Sequence, residues 1–277
     1  MRKPIVEACI AVALAGAVAA PGAMAATAPI HPGVQTFTAG AQCTANFIYR
    51  DAQNTYVGQA AHCSGTGAAT DTNGCVAASL PIGTPVTVTG ASRPGTLAYN
   101  SWLTMQARHE TDPSTCQYND LALVRLDPAD AGNVDPTVPG FGGPTGVGGA
   151  AVGATVYSYG NSELRLGISQ LSPKQGLVVQ LAGNGWSRTV YTVTPGIPGD
   201  SGSGFLNAAG QAIGVLSTVA LLPLPLSNGV GDLGRELAYL HTVSGFGGVQ
   251  LVNGTRPFQG NLVNAILGGG SLLSSRR

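Results

Sequence analysis

Three side chains in this sequence are of the types that activate a serine nucleophile. Ser201 lies in the glycine-rich stretch GIPGDSGSGF, His62 in QAAHCSG and Asp120 in YNDLALVRL. A serine hydroxyl is a weak nucleophile, so it needs a neighbouring base to take its proton and a further group that fixes the tautomer of that base. In these roles His62, Asp120 and Ser201 would carry out acyl transfer to and from the serine oxygen.

Each of these residues also has an ordinary structural interpretation. A glycine-rich stretch is often a flexible turn, and an aspartate before a strand often caps a turn. His62 differs from the other histidines because Cys63 follows it and can fix its loop; the others are His31, His109 and His241. Asp120 precedes an apolar run, where an unpaired carboxylate would be costly, so it needs a donor such as an imidazole N–H.

Short β-strands are the elements that must position these side chains. The 277 residues include 41 glycines and 18 prolines, too many for a helical protein and typical of strands joined by tight turns. Alternating or apolar runs predict strands at Thr44–Tyr49, Thr55–Val57, Pro85–Thr89, Leu121–Leu126, Thr155–Tyr159, Leu177–Leu181, Arg188–Val193, Gly204–Leu206 and Ala212–Val219. Arg235–His241 is the one segment predicted to be helical.

The predicted strands fall into two groups. Residues 136–153 are rich in glycine and proline and are the candidate connection between the groups. His62 and Asp120 belong to the first group and Ser201 to the second, which predicts a site in the cleft between two β units.

The first residues have the pattern of a secretory signal. A charged start precedes the apolar run Ile10–Ala20, and Ala23–Ala25 fits the small-x-small pattern of a cleavage site, so residues 1–25 are predicted to be removed. A membrane anchor is the alternative, but the apolar run is short for a bilayer span. We therefore expect a secreted, extracellular protein with its folded domain at 26–267 and a disordered tail at 268–277.

Composition and cysteine content limit the partners. Charged residues make up 9% of the chain and the formal net charge is zero, so no basic surface argues for nucleic acid. Beyond the predicted signal an even number of cysteines remains, which in an oxidising compartment predicts two disulfides with three possible connectivities. These cysteines are Cys43, Cys63, Cys75 and Cys116. No cysteine or histidine spacing indicates a metal, and no cofactor is expected.

The motifs AAHC, NDLALVRL and GDSGSG, at residues 60–63, 119–126 and 199–204, resemble those of the chymotrypsin-like (trypsin-type) serine proteases, in that family's order of His, Asp and Ser. YGNS at 159–162 is similar to a segment that members carry at the start of the second barrel. The similarity covers roughly Ala41–Ala220, and the secreted, alanine-rich character is similar to that of bacterial members.

The resemblance implies an all-β fold of two antiparallel six-stranded β-barrels with the active site in the cleft between them, to which the sequence adds a short C-terminal helix. It implies that Ser201 attacks a peptide carbonyl, that His62 is general base and then general acid, and that Asp120 orients His62. The backbone N–H groups of Gly199 and Ser201 would form the oxyanion hole, where glycine lets the N–H point inward at little steric cost.

Two cysteine pairs are expected from the resemblance. Cys43 and Cys63 match the family's disulfide that staples the histidine loop. That leaves Cys75 with Cys116, a pair that follows no pattern of the family.

The acid before the serine, Asp200, needs a cation if it is buried. Family members that are activated by cleavage supply this cation from a new amino terminus at an Ile-Val-Gly-Gly-like start, which the sequence lacks. Some bacterial relatives use an internal arginine instead. We expect Arg165 in this role, with Arg188 as the second candidate.

Specificity residues are carried over from the same resemblance. Pro195 occupies the floor position of the pocket for the side chain that precedes the cut, where an aspartate would select arginine and lysine. Ser217 matches the residue that bonds the substrate backbone, and Thr218 and Val219 follow it on the pocket wall. Val219 stands where roomier pockets have glycine, and Leu216 stands where glutamate-cutting relatives have histidine. We predict cleavage after small or medium apolar residues such as alanine, valine or leucine.

Other functions stay open on the sequence alone. Ser201, Asp232 and His241 run in the order of an α/β-hydrolase, although that fold requires G-x-S-x-G and residue 203 is a serine. A secreted, catalytically inactive β-domain that binds a protein partner, and a serine esterase, are further alternatives. The endopeptidase interpretation predicts a protein or peptide substrate, no nucleic-acid or membrane partner, and a monomer.

Overall fold

The computed structural model describes residues 28–68, 70–219 and 226–268, and these contain fourteen strands and four α-helices. The strands before residue 130 are β1 Gln35–Thr38, β2 Ala41–Thr44, β3 Ile48–Arg50, β4 Thr55–Ala60, β5 Pro85–Val88, β6 Gly95–Asn100 and β7 Leu121–Arg125. The later strands are β8 Thr155–Tyr159, β9 Pro173–Ala182, β10 Ser187–Thr192, β11 Gly204–Asn207, β12 Ala212–Val219, β13 Asn228–Asp232 and β14 Gln250–Leu251. The helices are α1 Ser101–Ala107, α2 Pro113–Tyr118, α3 Leu233–Leu240 and α4 Leu262–Gly268. Among the described residues, no helix has the length and apolar character needed to cross a membrane.

Strands β1 to β7 and the C-terminal β14 form an antiparallel sheet in the order β14-β3-β4-β7-β6-β5-β1-β2. Strand β4 lies between β3 and β7, and its last residue, Ala60, is opposite Leu121, the first residue of β7. This register places the residues that follow β4 beside those that precede β7. His62 and Asp120 therefore meet at one end of the sheet.

Strands β8 to β13 close into a six-stranded antiparallel barrel in the order β10-β13-β12-β11-β8-β9. Alternate residues along the strands point inward. They form a buried apolar core of Val156, Val178, Val190, Phe205, Ile213, Leu216 and Val230. Ser201 lies shortly before β11, and its carbonyl accepts a hydrogen bond from Thr44 of the first sheet.

One apolar cluster is shared by the two β units. Phe47 of the first sheet belongs to the same buried cluster as Leu206 and Val215 of the barrel and Leu237 of α3. Gly204, the first residue of β11, has no side chain where the Phe47 ring lies, and a Cβ there would overlap that ring. Burial of this shared apolar surface holds the two units together.

The all-β fold class is confirmed, and its second barrel closes with six strands as expected. The first unit differs because its sheet has eight strands, with β2 at one edge and β14 at the other. The predicted strand Thr44–Tyr49 is wrong, since β2 ends at Thr44 and β3 begins at Ile48. The side-chain oxygen of Asn46 accepts the backbone N–H of Phe47 at 2.8 Å, which offers the backbone an alternative to the ladder and interrupts the strand.

The prediction of a single helical segment is also wrong. Helix α3, Leu233–Leu240, overlaps the predicted segment Arg235–His241, but α1, α2 and α4 are additional. Helix α1 begins where the Asn100 side chain accepts the N–H groups of Trp102 and Leu103, and α2 begins where that of Asp112 accepts the N–H of Thr115. Helices of six or seven residues are too short to show a clear 3.6-residue period.

The structure describes only some of the segments predicted to lie at the chain ends and between the two β units. Residues 1–25, the predicted signal, lie outside the described residues, and so do residues 269–277 of the predicted tail. The predicted connection at 136–153 lies between β7 and β8, and within it Val147 bridges to Ala212 of the barrel. The domain boundaries themselves stay predictions.

Candidate active site

His62 and Asp120 form a charge-assisted pair at one end of the central strands β4 and β7 of the first sheet. His62 lies in a short 3-10 turn directly after β4, and Asp120 directly before β7. The ring Nδ1 of His62 is 2.6 Å from Asp120 Oδ2, and the backbone N–H of His62 donates to Oδ1 at 2.9 Å. The carboxylate therefore holds both the ring and the main chain of His62, which fixes the ring orientation.

Ser217 of the barrel completes the surroundings of the Asp120 carboxylate. Its hydroxyl donates to Asp120 Oδ2 at 2.6 Å. Asp120 is thus bonded to groups from both β units. The prediction for Ser217 is substrate binding and does not include this contact, because no sequence pattern shows which strand of the barrel faces Asp120.

The His62 ring is partly exposed, with 24% of its side-chain surface accessible, whereas that of Asp120 is 4% accessible. Burial lowers the pKa of His62, but the negative charge of Asp120 and its hydrogen bond outweigh that effect, and the pKa is raised above its usual value. An imidazolium next to Asp120 is therefore stabilised. This is the property that a base needs when it takes a proton from a serine hydroxyl.

Ser201 is brought to the His62 loop by main-chain contacts on both sides. Its carbonyl accepts the N–H of Thr44 at 2.8 Å, and Cys43, next in the chain, is bonded to Cys63. Gly202 has a φ of +88°, and a Cβ there would lie 2.8 Å from the backbone nitrogen of Ala60 at the end of β4. Ser201 itself is half-buried.

The turn before Ser201 presents two backbone N–H groups. Gly199 has a φ of +93°, where a Cβ would overlap the Gln42 side chain, so only glycine fits without rearrangement. The Gly199 carbonyl is fixed by Thr44 Oγ1 at 2.7 Å and Gln42 Nε2 at 3.0 Å. Neither the N–H of Gly199 nor that of Ser201 donates to another residue in the described ranges. These are the two N–H groups that the resemblance assigns to an oxyanion hole.

Asp200 is fully buried and forms salt bridges with two cationic side chains. Arg165 contacts both carboxylate oxygens, and Lys174 Nζ lies 3.0 Å from Oδ2. The same carboxylate accepts the backbone N–H of Ile197 at 3.1 Å and of Ser162 at 3.2 Å. The ion cluster therefore holds the turn that leads into the GDSG motif.

The expectation for Arg165 is confirmed, and the second candidate, Arg188, pairs with Asp232 instead. Lys174, which was not predicted, is completely buried in the first part of β9. Burial lowers the pKa of Lys174 to about 8, with Asp200 raising it and Arg165 lowering it. The predicted strand begins only at Leu177, whereas β9 begins at Pro173, so the sequence gives no sign of a buried lysine at this position.

The predicted specificity residues separate into two places. Ser217 and Thr218 line a cavity of about 240 Å³ together with Tyr118 and Gly229. Pro195 is not among the residues that line it; its carbonyl accepts from Lys174 Nζ at 3.1 Å. The side chain of Val219 lies outside the described part of the structure.

Both predicted disulfides are present, Cys43–Cys63 and Cys75–Cys116. The sulfurs of Cys43 and Cys63 and a ring nitrogen of His62 lie within 4.8 Å of one another, a grouping that could ligate a metal by atom type. Because both sulfurs are oxidised in a disulfide, they are not thiolate ligands, and the cluster is a structural clamp on the His62 turn.

Removing each disulfide separately should show which of the two holds the His62 turn and which contributes only to stability. Cys43→Ala/Cys63→Ala and Cys75→Ala/Cys116→Ala should cost about 3 and about 4 kcal/mol of unfolding free energy, respectively, from the loops they close. For the peptidase activity that the resemblance implies, only the first pair should also lower kcat, because it holds the turn of His62. Denaturant unfolding and peptide hydrolysis measure the two effects, and an equal loss of kcat in both double variants would contradict the clamp.

The α/β-hydrolase alternative is wrong. The chain is an all-β protein, and the acid and base that this alternative requires are engaged elsewhere. Asp232 pairs with Arg188 and caps α3, where its Oδ1 accepts the N–H of Arg235 at 2.8 Å. His241 contacts the carbonyl of Val249 at 2.8 Å.

Comparison with known proteins places the fold. No protein-family model matches the chain, and no curated protein matches it in sequence. Among solved structures, Thermobifida fusca protease A is 21% identical over 81% of this chain and 99% of its own, with a TM-score of 0.52. A glutamic-acid-specific serine protease, described as using a histidine triad in substrate binding, is 19% identical over 80% of this chain and 100% of its own, also with a TM-score of 0.52. At these identities the likeness shows a chymotrypsin-like fold.

Proposed function

We propose that this chain with a chymotrypsin-like fold is a secreted serine endopeptidase that hydrolyses peptide bonds through an acyl-enzyme. The observation that carries the proposal is the paired His62 and Asp120, with the Ser201 carbonyl bonded to Thr44 beside the disulfide that holds the His62 turn. A fold by itself does not fix an activity, so these residues are what supports the proposal.

In the proposed mechanism the Ser201 Oγ attacks the peptide carbonyl carbon while His62 Nε2 takes its proton. Asp120 stabilises the imidazolium that forms. The N–H groups of Gly199 and Ser201 donate to the oxygen that becomes negative in the tetrahedral intermediate. His62 then gives its proton to the leaving amine, and a water molecule repeats the sequence on the acyl-enzyme.

The two disulfides support an extracellular location for the protein. Two disulfides are stable in an oxidising environment and rare in a reducing one. We accordingly propose removal of residues 1–25 and a protease domain at 26–267 that acts as a monomer on protein or peptide substrates.

A fluorophosphonate probe tests the proposed activity against the two remaining alternatives. An activated Ser201 should be labelled covalently, and the label should map to the peptide that contains it. A β-domain that only binds a protein partner would stay unlabelled. A serine esterase would be labelled but would cleave an ester and leave the matching peptide amide intact, so a peptide-library digest beside Ser201→Ala separates these two enzymes.

Cleavage after small or medium apolar residues is the proposed specificity. Among the described residues, none that lines the cavity with Ser217 and Thr218 is charged, so the cavity offers no opposite charge to a basic or an acidic side chain. Peptide substrates that differ only in the residue before the cut should show higher kcat/KM for alanine, valine or leucine than for arginine. Differences among the apolar residues should be graded, because one methylene changes selectivity only about 10- to 200-fold. Faster cleavage after arginine, or after glutamate, would refute this specificity.

A further inference from the structure

Glu236 is a fully buried acid on α3, directly behind Asp120. Its Oε1 accepts the backbone N–H of Asp120 at 3.1 Å. Gly231 faces the same oxygen, and a Cβ at that position would lie 2.6 Å from it. The site therefore has room for this carboxyl group because residue 231 has no side chain.

The other oxygen of Glu236 has an unusual environment. Oε2 is buried and has no hydrogen-bond partner among the residues that the structure describes. The buried hydroxyl of Tyr99 is likewise unpartnered there, and Tyr49 is the second tyrosine within electrostatic range. An ionised carboxylate with a single hydrogen-bond donor would be costly in such buried surroundings.

Charged groups around Glu236 favour its neutral form. Burial is the main reason that the pKa of Glu236 is raised well above its usual range, and the hydrogen bond from Asp120 lowers it only in part. The negative charges of Asp120 and Asp232 raise the pKa further, whereas Arg188 lowers it. Burial and the neighbouring carboxylates thus favour the neutral acid at Glu236.

The two acids differ in the number of donors that reach their carboxyl oxygens. Asp120 receives three hydrogen bonds on its carboxylate, two from His62 and one from Ser217. Glu236 receives one, from the Asp120 peptide. Glu236 is therefore the acid with fewer donors, as suits a neutral carboxyl group.

We propose that Glu236 is a positioning residue for the acid of the proposed triad: its neutral carboxyl group fixes the Asp120 peptide and so aims the Asp120 carboxylate at His62. This inference rests on the proposed endopeptidase function for its effect on rate, but the geometry it describes exists without substrate.

Two variants of nearly equal size separate the hydrogen bond from the packing. Glu236→Gln is neutral and keeps an oxygen that can accept the Asp120 N–H. Glu236→Leu keeps the bulk and leaves that N–H unpaired in a buried site. We expect kcat of Glu236→Gln to equal that of the wild type, and kcat of Glu236→Leu to fall about 10- to 100-fold with KM unchanged.

Two NMR resonances test this geometry without requiring catalysis. The Nδ1 proton of His62, bonded to Asp120, should keep its downfield shift in Glu236→Gln and lose it in Glu236→Leu. The carboxyl-carbon resonance of Glu236 can be assigned because it is absent from Glu236→Gln. Its chemical shift should be that of a protonated acid at pH 7 in the wild type. This measurement does not require Glu236→Leu to fold. An ionised Glu236, or an unchanged His62 resonance in folded Glu236→Leu, would overturn the inference.

The outcomes also distinguish this inference from the proposed function. A wild-type protein that cleaves no peptide, while its His62 resonance responds to Glu236→Leu as expected, would refute the endopeptidase and support the positioning role. Active wild type with a Glu236→Leu variant equal to it in kcat and resonance would refute the positioning role alone. A Glu236→Gln variant as slow as Glu236→Leu would show that the neutral acceptor is not what Glu236 supplies.

Discussion

Replacing Ser201 with alanine should lower kcat for peptide hydrolysis by about 10⁶-fold. Without its Oγ no acyl-enzyme forms, and the His62–Asp120 pair has no serine proton to accept. Ser201 contacts the fold through its backbone carbonyl, which accepts the N–H of Thr44 at 2.8 Å, so Ser201→Ala should unfold at the temperature of the wild type. Steady-state kinetics and thermal unfolding measure these two results.

Ser203 provides a matched control within the same motif. It is fully buried, and its hydroxyl makes no hydrogen bond to any residue that the structure describes. Ser203→Ala should therefore leave kcat unchanged and shift the unfolding free energy by less than about 1 kcal/mol. His62→Ala should lose as much activity as Ser201→Ala, and the double variant little more, because the residues act as a unit. Additive losses, or an inactive Ser203→Ala, would contradict the proposed nucleophile.

The motifs predicted which halves of the fold the site residues come from, because each motif lies at a strand end that pattern and turn residues mark. The pairing of His62 with Asp120 follows from the register of β4 and β7, since two strand ends that meet also bring their flanking residues together. Closure of the barrel is a property of six strand registers at once. No local pattern encodes those registers, and the resemblance alone supplied that part of the prediction.

Lys174 and Glu236 show what local patterns cannot reveal. A charged residue in sequence is ordinarily read as exposed. Both side chains are completely buried because each meets a partner that is distant in the chain, Asp200 for Lys174 and the Asp120 peptide for Glu236. Long-range pairing of this kind is decided by tertiary packing, so a single sequence contains no signal for it beyond the charge itself.

Asp200→Ala is the substitution for which we expect the largest loss of stability. The buried Asp200 carboxylate binds Arg165 and Lys174 and accepts the N–H groups of Ile197 and Ser162. Alanine leaves two buried cations without an anion, and removing one partner of a buried pair costs about 3–5 kcal/mol. It also releases the turn that carries the proposed oxyanion donors, so kcat should fall even well below the unfolding temperature. Denaturant unfolding and hydrolysis rates check both results.

Lys174→Met is the matched comparison, because Arg165 still contacts both oxygens of Asp200. Burial lowers the pKa of Lys174 to about 8 in the folded protein. From there up to about 10.4, the ordinary pKa of an unfolded lysine, the unfolded chain binds a proton that the folded chain lacks. The wild type therefore gains stability relative to Lys174→Met as the pH rises through this window, by about 3 kcal/mol in total.

Measuring that gain as a difference between the two proteins cancels the ionisation of the buried tyrosines, which both proteins share. A difference that stays constant across the window would show that Lys174 keeps its proton in the folded protein. A rising difference with full kcat in Lys174→Met would show that Arg165 alone holds the turn. An Asp200→Ala variant as stable and as active as the wild type would refute the cluster's role, because Ile197 and Ser162 would then keep their geometry without the carboxylate.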